Sequence, residues 1–226
     1  MMQKTLFYFL ALLSLGCSQK EQHKVDLNRE SKPKSTLQKK YKKRNKDSLN
    51  NKNAVAFFTA YGKENPETKV RFQTRLGTID IQLFEDTPLH RANFIYLVKK
   101  GYFNTTCFHR VVPNFIAQGG NSENFNTSRF RNKRKNYRLP PEFRKNHKHV
   151  RGSLAIARDW ENNPQKLSTP FEFYITVKSE PHLNFEHTVF GKVINGMDVV
   201  DKITKVKRGK DDWPNEDIFI KATVLE

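Results

Sequence analysis

Short runs of alternating apolar and polar residues begin at Val70, and they constrain the fold of this 226-residue chain more than any other feature. Val70 and Phe72 alternate with polar residues, and the run TIDIQL at 78–83 alternates again. A period of two is typical of strands that bury one face. Gly77 lies between the two runs, where a tight turn can form. The pattern therefore predicts two antiparallel strands joined by a hairpin.

The remainder of the chain contains more strand-like runs than helical ones. Helical patterns occupy Leu89–Lys100 and Gly196–Thr204; the first follows the capping sequence DTP and stops before Gly101. Many short strands with only two helices indicate an antiparallel barrel or sandwich with helical covers. The six further strand-like runs are Phe108–Val112, Phe115–Gln118, Ser153–Ala157, Phe171–Val177, Thr188–Val193 and Ile218–Leu225.

The first 17 residues have the pattern of a secretory signal peptide. Lys4 supplies a positive start, Leu6–Leu15 is apolar, and a small-residue cleavage site precedes Cys17. The apolar segment is too short to span a bilayer, and a buried N-terminal helix would find nothing to pack on in the polar sequence that follows. The cleavage site resembles a bacterial lipobox, although Ser14 stands where Leu, Val or Ile is usual. The resemblance implies that Cys17 is lipidated and anchors the protein in the cell envelope, on the periplasmic side or in the outer membrane.

Residues 18–66 are expected to be a basic, disordered tether, with a folded domain at 67–226. Positions 18–53 contain 12 Lys or Arg against four acidic residues and few apolar ones. Such a composition cannot bury enough surface to offset the entropy lost on folding. The run KKYKKRNK at 39–46 suits either a solvated linker or contact with anionic lipid headgroups.

The motifs of several enzyme classes are absent from the sequence. There is no Gly-rich phosphate loop, no G-x-S-x-G elbow and no paired-Cys zinc spacing. His147 and His149 alone would make a poor metal site, so neither a metal nor a cofactor is expected. The net charge of +18 and the basic and aromatic residues at 125–138 would suit nucleic acid. An exported protein rarely meets nucleic acid, however, and we expect no such partner.

The stretch FHRVVPNFIAQGG, Phe108 to Gly120, resembles the signature of the cyclophilins, a family of peptidyl-prolyl cis/trans isomerases. Four further segments follow the order and spacing of that family: GTIDIQLFEDTPLHRANFIYLVKKGYFNTTCFHRVV, RGSLAIAR, FEFYITV and HLNFEHTVFGKVINGMDVVDKI. The similarity covers about residues 70–226. It implies a mainly β fold, a closed antiparallel eight-stranded barrel capped by two helices. It also implies that the protein assists folding of exported proteins by twisting X-Pro bonds.

The resemblance assigns roles to particular residues. Arg110 matches the central catalytic residue of the family, and Gln118 matches the glutamine that helps to fix the arginine and the substrate. On spacing alone, Phe115 and Ile116 could equally fill the barrel interior. The implied partners are proline-containing, unfolded or partly folded proteins, bound by a monomer. The implied substrate-binding residues are Phe115, Ile116, Ala157, Arg158, Glu172, Tyr174, His182, Leu183 and His187.

Three positions depart from the usual pattern. Glu172 stands where the family commonly has glutamine, and Arg158 replaces a frequent asparagine, so the two could form an ion pair. If Glu172 instead pairs with Arg110, turnover would fall, and the alternative would be a catalytically weak proline-binding module or chaperone. His182 occupies the place of a tryptophan found in cyclosporin-sensitive members. Because His offers a smaller contact face than Trp, weak cyclosporin binding is predicted.

Overall fold

The computed structural model describes residues 49–134 and 137–225. The predicted signal peptide, Cys17 and residues 18–48 of the predicted tether lie outside this range. Within it, no helix is long and apolar enough to cross a membrane. The helices are α1 (Ala54–Glu64), α2 (Pro88–Lys99), α3 (Phe125–Arg134) and α4 (Met197–Thr204). The strands are β1 (Lys69–Thr74), β2 (Gly77–Leu83), β3 (Cys107–Val112), β4 (Ile116–Asn121), β5 (Ser153–Ile156), β6 (Phe173–Thr176), β7 (Val189–Asn195) and β8 (Lys221–Leu225).

The hairpin predicted from the alternating pattern is formed by β1 and β2. Their antiparallel register runs from Lys69 opposite Gln82 to Thr74 opposite Gly77. Gly77 has a φ of +134°, and a Cβ atom there would lie 2.6 Å from a methyl group of Val199. Glycine therefore satisfies both the turn and the close approach of α4.

The eight strands form one antiparallel sheet in the order β3-β4-β6-β5-β7-β2-β1-β8. The sheet is open, so the predicted closed barrel is wrong in this respect. Instead of pairing with β8, β3 meets the segment that precedes β8, through one bridge between Cys107 and Phe219. Two backbone hydrogen bonds flank it, Phe108 N to Ile218 O and Ile220 N to Thr106 O, each 3.0 Å long. A register shift beside Cys107 disturbs the β3–β4 ladder at this end, as bulges do.

The core lies between α2 and the concave face of the sheet. Phe94 of α2 packs against Phe103, Phe173 and Phe190 with ring centroids 4.8, 5.7 and 5.3 Å apart. Such offset and edge-on pairs add to the free energy gained from burying the rings. Every residue from 90 to 98 in α2 is buried, so α2 is covered on its outer side as well.

Helix α1 provides that outer cover, and it corrects part of the predicted tether. Phe57, Phe58 and Tyr61 surround the ring of Tyr96 on α2 at 5.6, 5.8 and 5.4 Å. These aromatic residues share one face because they are spaced as neighbouring helix turns require. Residues 54–64 are therefore part of the folded domain, which the predicted boundary at residue 67 excluded.

Helix α3 lies in the long polar stretch after β4, for which the sequence predicted no helix. Of its ten residues only Thr127 is buried, so no apolar period marks the helix in the sequence. The described residues thus contain four α-helices, two more than predicted, while α2 and α4 lie within one residue of the predicted ranges.

Candidate active site

A cavity of about 440 Å³ opens beside β3, β4 and β6 and the short 3-10 helix Pro181–Leu183. We call this cavity the slot. Ten of the eleven predicted site residues line it, and the exception is Glu172. The lining residues are Arg110, Phe115, Ile116, Gln118, Ala157, Arg158, Trp160, Tyr174, His182, Leu183 and His187.

The floor of the slot is apolar and separate from the main core. Ile116, Tyr174 and Leu183 are buried in a small cluster of their own, against which the half-buried Phe115 packs. Phe115 and Ile116 therefore line the slot and do not fill the interior between α2 and the sheet. The floor offers a face on which a compact apolar ring can be buried.

Arg110 and Gln118 supply the polar rim. They are register partners on β3 and β4, so their side chains reach the same mouth of the slot. The Arg110 side chain is 41% exposed, and its Nε lies 3.5 Å from an Oδ atom of Asp212. Asp212 also pairs with Arg208 at 3.1 Å. The guanidinium of Arg110 is thus held at the rim, charged at every physiological pH.

Glu172 lies just outside the slot, in an adjoining polar pocket of about 280 Å³. Its carboxylate accepts hydrogen bonds from Arg131 Nη2 at 2.8 Å and from Gln118 Nε2 at 3.2 Å. His109 Nε2 is 3.6 Å away. Burial raises the pKa of Glu172, but the hydrogen bonds and charges of His109 and Arg131 outweigh burial and lower the pKa to about 2. Glu172 is therefore ionised and neutralised by residues other than Arg110.

The ion pair between Arg158 and Glu172 that the sequence suggested does not form. Arg158 Nη2 binds the carboxylate of Glu186 at 2.7 Å, and Arg158 Nε donates to the Glu186 carbonyl at 2.8 Å. Lys166 completes the cluster on the other carboxylate oxygen at 2.6 Å. The predicted pair was wrong because folding brings Glu186 to Arg158 and Arg131 to Glu172. The sequence does not mark these segments as neighbours.

Two buried histidines border the slot, one of them unforeseen as a site neighbour. His187 lines the slot with Nδ1 3.1 Å from the carbonyl of Ile156, and burial lowers its pKa to about 4. His149 lies behind Tyr174, with Nε2 2.9 Å from the tyrosine hydroxyl and Nδ1 3.2 Å from Asn184 Oδ1. Burial lowers the pKa of His149 to about 4 as well. Both rings are neutral at pH 7.

His147, which with His149 was considered as a weak metal site, contacts a different set of residues from His149. It stacks on Phe84 at 3.9 Å between ring centroids and binds Asp86 at 2.7 Å. In the described part of the chain, no three His, Cys, Asp or Glu side chains gather in a way that could hold a metal ion.

Trp160 is the slot residue that the sequence did not reveal. Its indole lies over the guanidinium of Arg158 at 4.0 Å and meets His187 edge-on at 5.3 Å. It follows β5 in a polar stretch, DWENNPQ, with no apolar period around it. The signal in the sequence that could have indicated a slot residue was an aromatic side chain two positions after the segment RGSLAIAR.

Among its lining residues, the slot contains no Ser, Thr, Cys, Asp or Glu side chain. It offers a fixed cation, an amide and an apolar floor, which suit binding and electrostatic stabilisation rather than attack on a substrate. Rotation about an amide bond requires only these, since no bond is broken.

Residues 69–224 match the family model of cyclophilin type peptidyl-prolyl cis-trans isomerases. The chain belongs to the cyclophilin family.

Named relatives and a solved structure agree. A peptidyl-prolyl cis-trans isomerase of Acinetobacter baylyi is 39% identical over 145 residues, covering 62% of this chain and 73% of the relative. A probable peptidyl-prolyl cis-trans isomerase of Brucella suis is 37% identical over 168 residues, covering 70% and 83%. The crystal structure of a Cryptosporidium parvum cyclophilin type isomerase covers 71% of this chain and 98% of its own, at 27% identity and a TM-score of 0.60. The enzyme class predicted for this cyclophilin is confirmed.

Proposed function

We propose that this cyclophilin isomerises X-Pro bonds in the slot, with Arg110 as the catalytic residue. The observation that carries the proposal is a permanently charged donor at the rim of an apolar floor. The barrier to rotation is about 18 to 20 kcal/mol because the amide is conjugated. Twisting the bond localises a lone pair on the prolyl nitrogen, and a fixed donor stabilises that twisted state more than either planar one.

The apolar floor would hold the proline ring while the bond rotates. Ile116, Tyr174 and Leu183 are already buried and packed together, so binding requires little rearrangement. Burying a ring of this size contributes about 1 to 3 kcal/mol. Fixing the ring on one side of the bond leaves the other side free to turn.

Glu172 supports Gln118 in this scheme. An ionised carboxylate only accepts hydrogen bonds, so the amide nitrogen of Gln118 must face Glu172. This fixes the orientation of the amide and turns its carbonyl oxygen away from Glu172, as an acceptor for Arg110 or for a substrate N–H. The charge of Glu172 is met by Arg131, which removes the main argument for a catalytically weak binding module.

An assay of kcat/KM on an Ala-Pro peptide tests the assignment of Arg110. Arg110→Ala is expected to lose about 100-fold, as when a preorganised donor is removed from an active site. Arg75→Ala is the matched control, because the Arg75 side chain is 43% exposed and lies 3.3 Å from Glu216, much as Arg110 lies near Asp212. Equal activities of the two variants would contradict the role of Arg110.

The cellular setting is also a proposal. A lipidated Cys17, the basic residues that follow it and a monomeric domain would place the slot beside the membrane, where exported proteins fold. The signal-like sequence at 1–17 supports this, and unfolded proline-containing envelope proteins would be the substrates. Cys17→Ser is expected to abolish incorporation of labelled palmitate and to move the protein into the fraction without membranes. Unchanged membrane attachment would contradict the anchor.

A further inference from the structure

An exposed indole stands at the mouth of the slot. Trp160 lines the slot and is 62% exposed. Single exposed aromatic residues are common on protein surfaces and usually carry no meaning. Position and support therefore decide whether this one does.

The support beneath Trp160 is rigid. The Arg158 side chain is only 5% exposed, and two bonds to Glu186 fix its guanidinium. The indole lies 4.0 Å from that guanidinium, a distance typical of a cation–π contact. The edge of His187 borders the same ring. One face of the indole is therefore held against a fixed cation, and the ring is preorganised before any ligand arrives.

The face of the Trp160 indole that Arg158 does not cover can bind an aromatic or aliphatic group. Because Arg158 occupies one side of the ring, a ligand side chain would stack on the outer side, where an apolar group is favoured. A lysine or arginine side chain would add a third positive charge to the cluster, which already contains Arg158 and Lys166. Aromatic groups gain from stacking without this repulsion.

We propose that Trp160 forms a subsite for an aromatic or large aliphatic side chain adjacent to the substrate proline. The subsite rests on the proposed function, because it needs the proline ring to be seated on the floor formed by Ile116, Tyr174 and Leu183. A preorganised platform lowers the entropy lost on binding. Trp160 therefore sets which X-Pro or Pro-X sequences bind well, and Arg110 acts on whichever bond is bound.

The test compares Gly-Phe-Pro-Gly, Gly-Pro-Phe-Gly and Gly-Ala-Pro-Gly as substrates of the full folded domain. Trp160→Ala should raise KM for one Phe peptide about fivefold more than it raises KM for the Ala-Pro peptide, the value of a lost aromatic contact. Trp160→Phe should restore most of the binding. Phe125→Ala is the control, since Phe125 is 75% exposed on α3 away from the slot. An equal loss for all three peptides, or none for any, would overturn the subsite.

Binding measured without turnover separates this proposal from the proposed function. Besides Trp160 the sequence has one other tryptophan, Trp213, so the variant Trp213→Phe leaves the Trp160 indole as the fluorophore. A Phe peptide should shift its emission to the blue and shield it from acrylamide, and the Ala-Pro peptide should do so far less. If no peptide is isomerised but this difference persists, the subsite stands and the catalytic proposal fails. If the peptides are isomerised and the two of them change the fluorescence equally, the subsite is contradicted and the catalytic proposal stands.

Discussion

Replacing Glu172 by glutamine separates the two roles that this residue could have. The carboxylate is held by His109 at 3.6 Å, by Arg131 at 2.8 Å and by Gln118 at 3.2 Å. The nearest acidic partner of Arg110 is instead Asp212, at 3.5 Å. Glu172→Gln should therefore destabilise the fold. It should lower kcat/KM modestly rather than raise it, because a glutamine at position 172 no longer forces the amide nitrogen of Gln118 to face it.

The size of the stability loss follows from the pKa. Its fall to about 2, from 4.5 in an unperturbed carboxyl, corresponds to about 3 kcal/mol of preference for the ionised form in the folded state. Glutamine keeps the shape but loses the charge, and the Arg131 side chain, 28% exposed, regains some hydration. We expect a loss of about 2 to 3 kcal/mol at pH 7. The difference should shrink as pH falls from about 4.5 towards 2, because Glu172 is protonated first in the unfolded chain.

Urea unfolding of a double-mutant cycle measures the partner directly. Glu172→Gln combined with Arg131→Gln should show a coupling of about 1 to 3 kcal/mol, whereas Glu172→Gln with Arg158→Gln should be additive within about 0.5 kcal/mol. Coupling to Arg158, or a several-fold rise in kcat/KM on Glu172→Gln, would refute the pairing described above. The second result would mean that Glu172 restrains Arg110.

Three further predictions follow from the slot. His149 and His187 have pKa values of about 4 in the folded protein, against 6.5 in the unfolded chain. Each should therefore cost about 2 kcal/mol of the free energy of unfolding when pH falls from 7 to 5. Urea titrations in which His149→Gln loses as much stability between pH 7 and 5 as wild type would contradict this. Tyr174→Phe leaves His149 Nε2 without its partner at 2.9 Å and should lower stability by about 1 to 3 kcal/mol with little change in KM; a large rise in KM would mean that the hydroxyl binds substrate. With an exposed His182 at the slot, cyclosporin should bind weakly by calorimetry, and a submicromolar dissociation constant would disprove it.

Local sequence patterns predicted the β1–β2 hairpin and helix α2. Alternation identified the β1–β2 hairpin, and a helix cap with a terminal glycine located α2 to within one residue. The family signature supplied ten of the slot residues. The hairpin and α2 depend on short spacings, which the chain displays directly, whereas the slot residues came from the resemblance to the family.

The features that failed depend on contacts between distant segments. The α1 sequence, AVAFFTAYGKE, is short and directly follows the basic polar stretch, and its aromatic residues find their packing partner, Tyr96, only when α2 lies beside them. The partners of Glu172 and Arg158 are Arg131 and Glu186, which no spacing rule connects. The open edge of the sheet likewise depends on how the chain before β8 meets β3. Trp160 could not be placed at the slot for the same reason.

The central claim is that the slot lowers the barrier to rotation about an X-Pro bond through Arg110. Exchange NMR of an Ala-Pro peptide, with the domain at catalytic concentration, measures that rotation without a coupled reaction. Uncatalysed exchange takes tens to hundreds of seconds. Cross-peaks between the cis and trans signals at subsecond mixing times with wild type, and their absence with folded Arg110→Ala, are the predicted result. Wild-type exchange no faster than in buffer, or equal exchange with Arg110→Ala, would contradict the account.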